Sequence, residues 1–134
     1  MTTNQPALNF IGRLLIVGLY LPAGISKVTG FAGTAGYFGS LGIPFPTAAL
    51  VGTIVLEIVG AIAILVGFQT RLAALALAIF TVAATFLGHA FWTFPADQAF
   101  VQQLMFMKNV AVVGGLLVLA AAGPGKWSLD ERGS

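Results

Sequence analysis

The chain has 134 residues, of which six are Lys or Arg and four are Asp or Glu. A charged fraction of 7%, a hydrophobic fraction of 58% and a mean hydropathy of +0.99 exclude a water-soluble domain, a disordered chain and a nucleic-acid binder, because a small soluble domain cannot bury so much apolar surface. The chain contains no cysteine and one histidine, so we expect no disulfide, no thiol chemistry and no metal site.

Four apolar stretches are long enough to cross a bilayer, which takes about 20 residues. They lie at about residues 8–28, 47–67, 72–91 and 103–122. The stretches are continuous and rich in Ala and Leu, a composition typical of helices rather than of the alternating strands of a barrel. The sequence therefore predicts an all-α membrane protein, with one transmembrane domain over residues 1–134 folded as a four-transmembrane-helix bundle.

The longest connection joins the first two spans and carries a glycine at every third position from Gly30 to Gly42. A spacing of three residues places the glycines on a slowly drifting stripe of a helix, so we interpret residues 32–41 as a short interfacial helix between helices 1 and 2. An irregular loop is the alternative, because glycine supports helices poorly.

The distribution of cations predicts the orientation of the bundle. Four spans place both termini on one side of the membrane, and Lys/Arg residues favour the cytoplasmic side. That side holds Arg13, Arg71, Lys126 and Arg132, and the other side holds Lys27 and Lys108. We therefore expect both termini to be cytoplasmic.

Glu57 is the strongest polar signal, because it lies near the middle of the second span with apolar residues for a full turn on either side. An ionised carboxylate at that depth requires a cationic partner, or else it is protonated. Arg13 is the favoured partner, since a guanidinium binds a carboxylate in a bidentate manner, and Lys108 is the second choice. A buried ion pair of Glu57 and Arg13 that only fixes helix register is the structural alternative.

The remaining polar residues of the spans fall in the outer half of the predicted bundle. Lys27, His89, Lys108 and Asn109 would line a basic site that suits a phenolic, carboxylic or quinone-type head group. Lys27 snorkelling to lipid head groups and His89 in an interfacial aromatic belt are the alternatives. Three cations and one carboxylate in or near the spans leave room for an anionic or electron-rich ligand.

The order of several short motifs resembles the DoxX family over nearly the whole chain. They are, in chain order, Arg13, Gly18, Gly24 and Lys27; Tyr37-Phe38 and Gly42-x-Pro44-x-Pro46; Glu57; Gly67-x-x-Thr70-Arg71; His89-x-Phe91-Trp92; Phe106-Met107-Lys108-Asn109; and Gly123-Pro124-Gly125 with Ser128-Leu129-Asp130. The resemblance implies a small multi-pass protein of the bacterial inner membrane with four helices. It also implies an association with respiratory, redox or oxidative-stress assemblies.

Two functions are compatible with these features. The first is a non-catalytic accessory or scaffold subunit, with no enzyme activity of its own, that binds a partner membrane or redox protein or forms a homo-oligomer. The second is a binding or oxidoreductase site for a quinone-like or other small amphipathic ligand at Lys27, His89, Lys108 and Asn109. In both cases we expect no intrinsic cofactor, no nucleic acid and membrane lipids as neighbours. For the second function, the bound molecule would be a quinone or a lipid.

Overall fold

The computed structural model describes residues 5–131, and the regular structure in this range is helical. The helices are α1 (Pro6–Thr29), α2 (Phe31–Ser40), α3 (Pro46–Val66), α4 (Thr70–Gly88) and α5 (Ala96–Ala122), with a short 3-10 helix at Phe91–Thr93 before α5. Within the described range, α1, α3, α4 with the segment to Thr93, and α5 are long and apolar enough to span a membrane. The predicted all-α fold is confirmed. Arg132, one of the basic residues used to predict the orientation, lies outside the described residues.

The observed helix bounds refine the predicted ones. The connection between the first two spans forms a helix, α2, so the alternative of an irregular loop is wrong. α4 ends at Gly88, before the predicted limit of residue 91, because the chain turns into the 3-10 helix. α5 begins at Ala96, ahead of the apolar stretch at 103–122, as expected for a helix that starts before the membrane after Pro95.

The bundle is packed shut in the half that carries the two chain termini, which we call the terminal end. α1 packs along α3 and α5 packs along α4, and the contact between α3 and α4 joins the two pairs. The buried apolar core consists of Val17, Tyr20, Ala61, Ile64, Ala74, Leu77, Ala78, Leu116 and Leu119. Apart from Tyr20, which lies just beyond the middle of α1, these residues lie in the terminal half of their helices. Apolar side chains on the outer surface, such as Leu15 and Ile79, are largely exposed, as expected for a protein whose solvent is lipid.

Arg13 caps the C-terminal end of α3. Its guanidinium donates hydrogen bonds from Nη1 to the carbonyls of Ile64 (2.7 Å) and Leu65 (3.0 Å), and from Nε to Oδ1 of Asn9 (2.9 Å). Its Nη2 donates to the carbonyl of Trp127 in the C-terminal tail. Only 1% of the Arg13 surface is exposed. The last carbonyls of a helix have no partner within the helix, and Arg13 supplies one where water is scarce.

The predicted ion pair of Arg13 with Glu57 is therefore wrong. Helical side chains lean toward the N-terminus of their own helix. Because α1 and α3 are antiparallel, Arg13 leans toward the terminal end of the bundle, whereas Glu57 leans toward the opposite end. The two side chains diverge, and the guanidinium binds carbonyl groups instead.

The C-terminal tail completes the cap of α3. The N–H groups of Leu129 and Asp130 donate to the carbonyls of Val66 (2.9 Å) and Gly67 (2.8 Å). Gly67 has a left-handed φ of 74°, and a Cβ atom at this position would overlap the backbone of Ser128. Glycine is thus required both by the turn that ends α3 and by the close approach of the tail.

The same tail also caps the N-terminus of α4, although the two are far apart in the sequence. The carboxylate of Asp130 accepts hydrogen bonds from the N–H of Gln69 (2.7 Å, Oδ1) and of Thr70 (2.9 Å, Oδ2). Partial desolvation opposes ionisation, but these backbone N–H groups and the nearby charge of Arg13 hold the pKa of Asp130 below its usual value. A carboxylate at a helix N-terminus is also favoured by the helix dipole.

We expect Arg13→Gln to lower the free energy of unfolding by about 3 kcal/mol, roughly the contribution of one or two charge-assisted hydrogen bonds. Arg71→Gln is the matched control, because Arg71 donates in the same manner to the last carbonyls of α5, at Ala120 and Ala121, but is exposed. That variant should lose about 1 kcal/mol or less. Denaturant or thermal unfolding in detergent measures both, and an equal loss in the two variants would contradict the structural role of Arg13.

We expect Asp130→Asn to reduce the loss of stability that the protein shows in acid. Because the pKa of Asp130 is lower in the folded state, its contribution is present above the ordinary Asp pKa of about 3.9 and is lost as the pH falls through the folded value. Melting temperatures recorded between about pH 2 and pH 5 should therefore fall less steeply for the variant. A fall as steep as that of the wild type would contradict this role of Asp130.

Candidate functional site

The other half of the bundle, which we call the cavity end, encloses a cavity of about 450 Å³. Its wall is made by residues of α1, α2, α3, α4 and α5 together with His89 after α4. Lys27, Glu57, His89, Lys108 and Asn109 all line it. The structure thus brings together every polar residue predicted for the site except Arg13, which lies at the terminal end. Ligand binding by these residues stays a prediction.

Glu57 pairs with Lys27 across the α1–α3 contact. The distance from Lys27 Nζ to Glu57 Oε1 is 2.9 Å, and the side chain of Glu57 is 6% exposed against 24% for Lys27. Lys27 leans toward the N-terminus of α1 and Glu57 toward the N-terminus of α3, so the two side chains converge. The same rule that separates Glu57 from Arg13 could have identified Lys27 as the partner from the sequence.

Gly24 lets α1 approach α3 beside this ion pair. A Cβ atom at Gly24 would lie 2.6 Å from Cγ1 of Ile58 and 3.3 Å from Cβ of Glu57. Lys27 follows Gly24 by about one helical turn, roughly 4.5 Å along the axis, which is within reach of its flexible side chain. The absence of a side chain at Gly24 therefore allows the close contact between α1 and α3 across which the ion pair forms.

Tyr20 and Thr81 close the floor of the cavity toward the core. Their hydroxyl oxygens are 2.5 Å apart, and each residue is 4% exposed. Thr53 also lines the cavity, with its hydroxyl donating to the carbonyl of Ala49. These hydroxyl residues were not predicted as part of the site. Their signal was their position in the spans, since a polar group in lipid has to find a partner inside the bundle.

His89 follows α4 and is held by α5. Its Nδ1 lies 2.7 Å from Oε1 of Gln102. An amide oxygen can only accept, so Nδ1 carries the proton in this contact, and Nε2 is left for another partner. The ring contacts among Phe86, Phe91, Trp92 and Phe106 are mostly edge-to-face and fix the segment that follows His89.

Lys108 and Asn109 contribute the α5 side of the cavity. Within residues 5–131, Lys108 makes no ion pair and the side chain of Asn109 makes no hydrogen bond, although Asn109 is only 9% exposed. Lys108 is exposed and lies at the mouth of the cavity. The cavity therefore holds two cations and one carboxylate, and an ion pair already joins one of the cations to the carboxylate.

The α2 side of the cavity is formed by Thr34, Tyr37 and Phe38, together with Leu41 just beyond the helix. α2 contains no buried residue and packs mainly on α3. It therefore covers the cavity with aromatic and apolar side chains without sealing it. The cavity thus combines polar groups from α1, α3, α5 and the segment after α4 with aromatic and apolar side chains, which is the usual character of a site for a small amphipathic molecule.

Comparison with known proteins identifies the family of this chain. Residues 8–90 match the DoxX family. The chain is 38% identical to inner membrane protein YphA of Escherichia coli over 128 residues, which cover 96% of this chain and 91% of YphA. It is 44% identical to inner membrane protein YqjF of the same organism over 121 residues, which cover 90% of this chain and 88% of YqjF.

A more distant similarity extends to eukaryotes. The ER-derived vesicles protein ERV29 of Saccharomyces cerevisiae is 26% identical over 123 residues, which cover 92% of this chain but 33% of ERV29. No solved structure matches the chain. The family match, the two bacterial relatives and the four apolar helices confirm the resemblance that the sequence motifs indicated: the chain is an integral membrane protein of the DoxX family.

Proposed function

We propose that the protein binds a small amphipathic molecule in the cavity between its helices. The observation that carries this proposal is the convergence of Lys27, Glu57, His89, Lys108 and Asn109 on one cavity. Ionisable residues in a membrane span cost at least about 2.5–3.5 kcal/mol each at the centre of a helix. Such residues are retained where they serve a ligand or a partner, and here they face the same space.

The size and lining of the cavity support this proposal. A volume of about 450 Å³ lies within the usual range for small-molecule sites, roughly 300–1,000 Å³. Lys108 and Asn109 offer hydrogen-bond donors for the oxygens of a quinone, phenol or carboxylic head group, and Nε2 of His89 offers an acceptor for a hydroxyl group. Phe38, Leu41 and Leu87 offer apolar contacts for a chain or ring. An oxidoreductase role at this site would in addition need an electron donor from a partner protein.

We expect Ala84→Phe to reduce binding at least about tenfold, because the added ring fills part of the cavity and each tenfold change corresponds to about 1.4 kcal/mol. Labelled dodecanoic acid, dodecanol and decylbenzoquinone serve as probes. Their binding is measured on purified protein in phosphatidylcholine nanodiscs, after subtraction of the uptake by empty nanodiscs.

Ala111→Phe is the matched control, since Ala111 is exposed on α5 and does not line the cavity. It should bind the probes like the wild type. Saturable binding of at least one probe that is lost in Ala84→Phe supports the proposal. Absence of saturable binding for all three probes, or equal binding by both variants, would overturn it.

A second candidate function is that of an accessory subunit of a membrane redox or oxidative-stress assembly, and the surface of α5 favours it. Only 11% of the most apolar stretch of α5 is buried, compared with 22%, 33% and 28% for the corresponding stretches of α1, of α3 and of α4 with the segment to Thr93. α5 therefore offers an apolar face to lipid, a partner protein or a second copy of the chain. Extraction into native nanodiscs tests this role, and recovery of a monomer without a stoichiometric partner would count against it.

We also propose that the terminal end faces the cytoplasm. Arg71 and Lys126 lie at this end, and basic residues near span ends favour the cytoplasmic side. The cavity would then lie in the outer half of the membrane. The chain contains no cysteine, so a single Lys126→Cys substitution, labelled with a membrane-impermeant maleimide in intact cells, tests the orientation. Labelling without permeabilisation would contradict it.

A further inference from the structure

We infer that the molecule bound in the cavity carries one negative charge on its head group and that Lys108 binds this charge. The inference rests on the proposed function and specifies the ligand class of the same site. Its basis is a count of charges at the cavity, the placement of Lys108 and Asn109, and the distance of every other carboxylate from them.

Within residues 5–131, no carboxylate forms an ion pair with Lys108. The chain has four acidic residues, namely Glu57, Asp97, Asp130 and Glu131. Glu57 pairs with Lys27 at 2.9 Å. Asp130 caps α4 at the terminal end, and Glu131 is its neighbour in the chain. Asp97 precedes Lys108 by about 16 Å along the axis of α5.

The position of Lys108 makes this missing counter-ion costly. It lies about 8 Å inside the apolar stretch of residues 103–122, flanked by Met105, Met107 and Val110. A lysine at such a depth is stabilised by an anion or by extension of its side chain to the lipid head groups. Lys108 leans toward the N-terminus of α5 and thus toward the mouth of the cavity, where a head group entering the cavity would meet it.

Asn109 provides a second, independent indication of a ligand. The residue is 9% exposed and lines the cavity, and its side chain makes no hydrogen bond within residues 5–131. Its amide group therefore remains available to a molecule that enters the cavity. An oxygen of an anionic head group between Lys108 and Asn109 would accept a hydrogen bond from each.

The ligand class that satisfies these groups is an anionic amphipath. Its oxygen-rich head would bind Lys108 and Asn109, and its hydrocarbon portion would lie against Phe38, Leu41 and Leu87. A carboxylic acid with one chain and the phosphate of an anionic phospholipid share this chemistry. A neutral quinone or alcohol would occupy the same cavity but would leave the charge of Lys108 uncompensated.

The test compares dodecanoic acid with dodecanol, which differ in the charge of the head group. In phosphatidylcholine nanodiscs at about pH 8, where the carboxylic acid is ionised, we expect the wild type to bind the acid at least about tenfold more tightly. Lys108→Met should abolish this preference, because the loss of the charge weakens binding of the acid at least about tenfold more than binding of dodecanol. Lys126→Met removes a cation from the exposed tail and should leave both affinities unchanged.

Further variants separate charge from folding. Lys108→Arg keeps the positive charge and should retain the preference for the acid, and Asn109→Leu should weaken it. If Lys108→Met does not fold, as judged by its melting temperature, the comparison of Lys108→Arg with Asn109→Leu in the same assay tests the inference.

Addition of phosphatidylglycerol identifies the source of the anion. Displacement of dodecanoic acid assigns the site to a phospholipid, and persistence of its binding assigns the site to a single-chain acid.

The outcomes distinguish this inference from the proposed function. Equal affinity of the wild type for the acid and the alcohol, or an equal loss of both in Lys108→Met, would overturn the inference while the binding function stands. Lys108 would then be a residue that extends to lipid head groups. Failure of every probe to bind saturably would overturn the binding function itself.

Discussion

Hydrocarbon cannot solvate a charge or a free backbone carbonyl, and this constraint explains most of what the structure does with its few polar residues. At the terminal end, the carbonyls that finish α3 accept hydrogen bonds from Arg13 and from the N–H groups of Leu129 and Asp130. At the cavity end, the carboxylate of Glu57 is compensated by Lys27. Arg13 and Lys27 thus provide the interactions that water would provide outside the membrane.

The two ends of the bundle use their polar residues for different purposes. At the terminal end, the guanidinium of Arg13 is buried and bonded to three carbonyl groups and to Asn9, so it is structural. At the cavity end, Lys108 and Asn109 keep unused hydrogen-bonding capacity within the described part of the chain. The motifs that resemble the DoxX family divide in the same way, with one set closing the bundle and the other lining a space within it.

The sequence was sufficient to predict the spans, the short helix between the first two and the group of residues around the cavity. Apolar length determines the spans, and a polar residue in a span has to face the interior, so the scarce polar residues of one half of the bundle meet there. The partner of Glu57 was predicted wrongly because depth alone was compared, without the direction in which helical side chains lean. The cap that Asp130 provides could not be predicted, because it depends on how the tail folds back across 60 residues of chain.

The C-terminal tail also determines when the protein can be complete. Residues 129 and 130 supply the partners for the last carbonyls of α3 and the first N–H groups of α4, yet they are the last described part of the chain to be synthesised. During insertion the turn between α3 and α4 therefore lacks the partners that the tail provides. The terminal end can close only after the residues that follow α5 have been synthesised, so its packing depends on the tail as well as on the spanning helices.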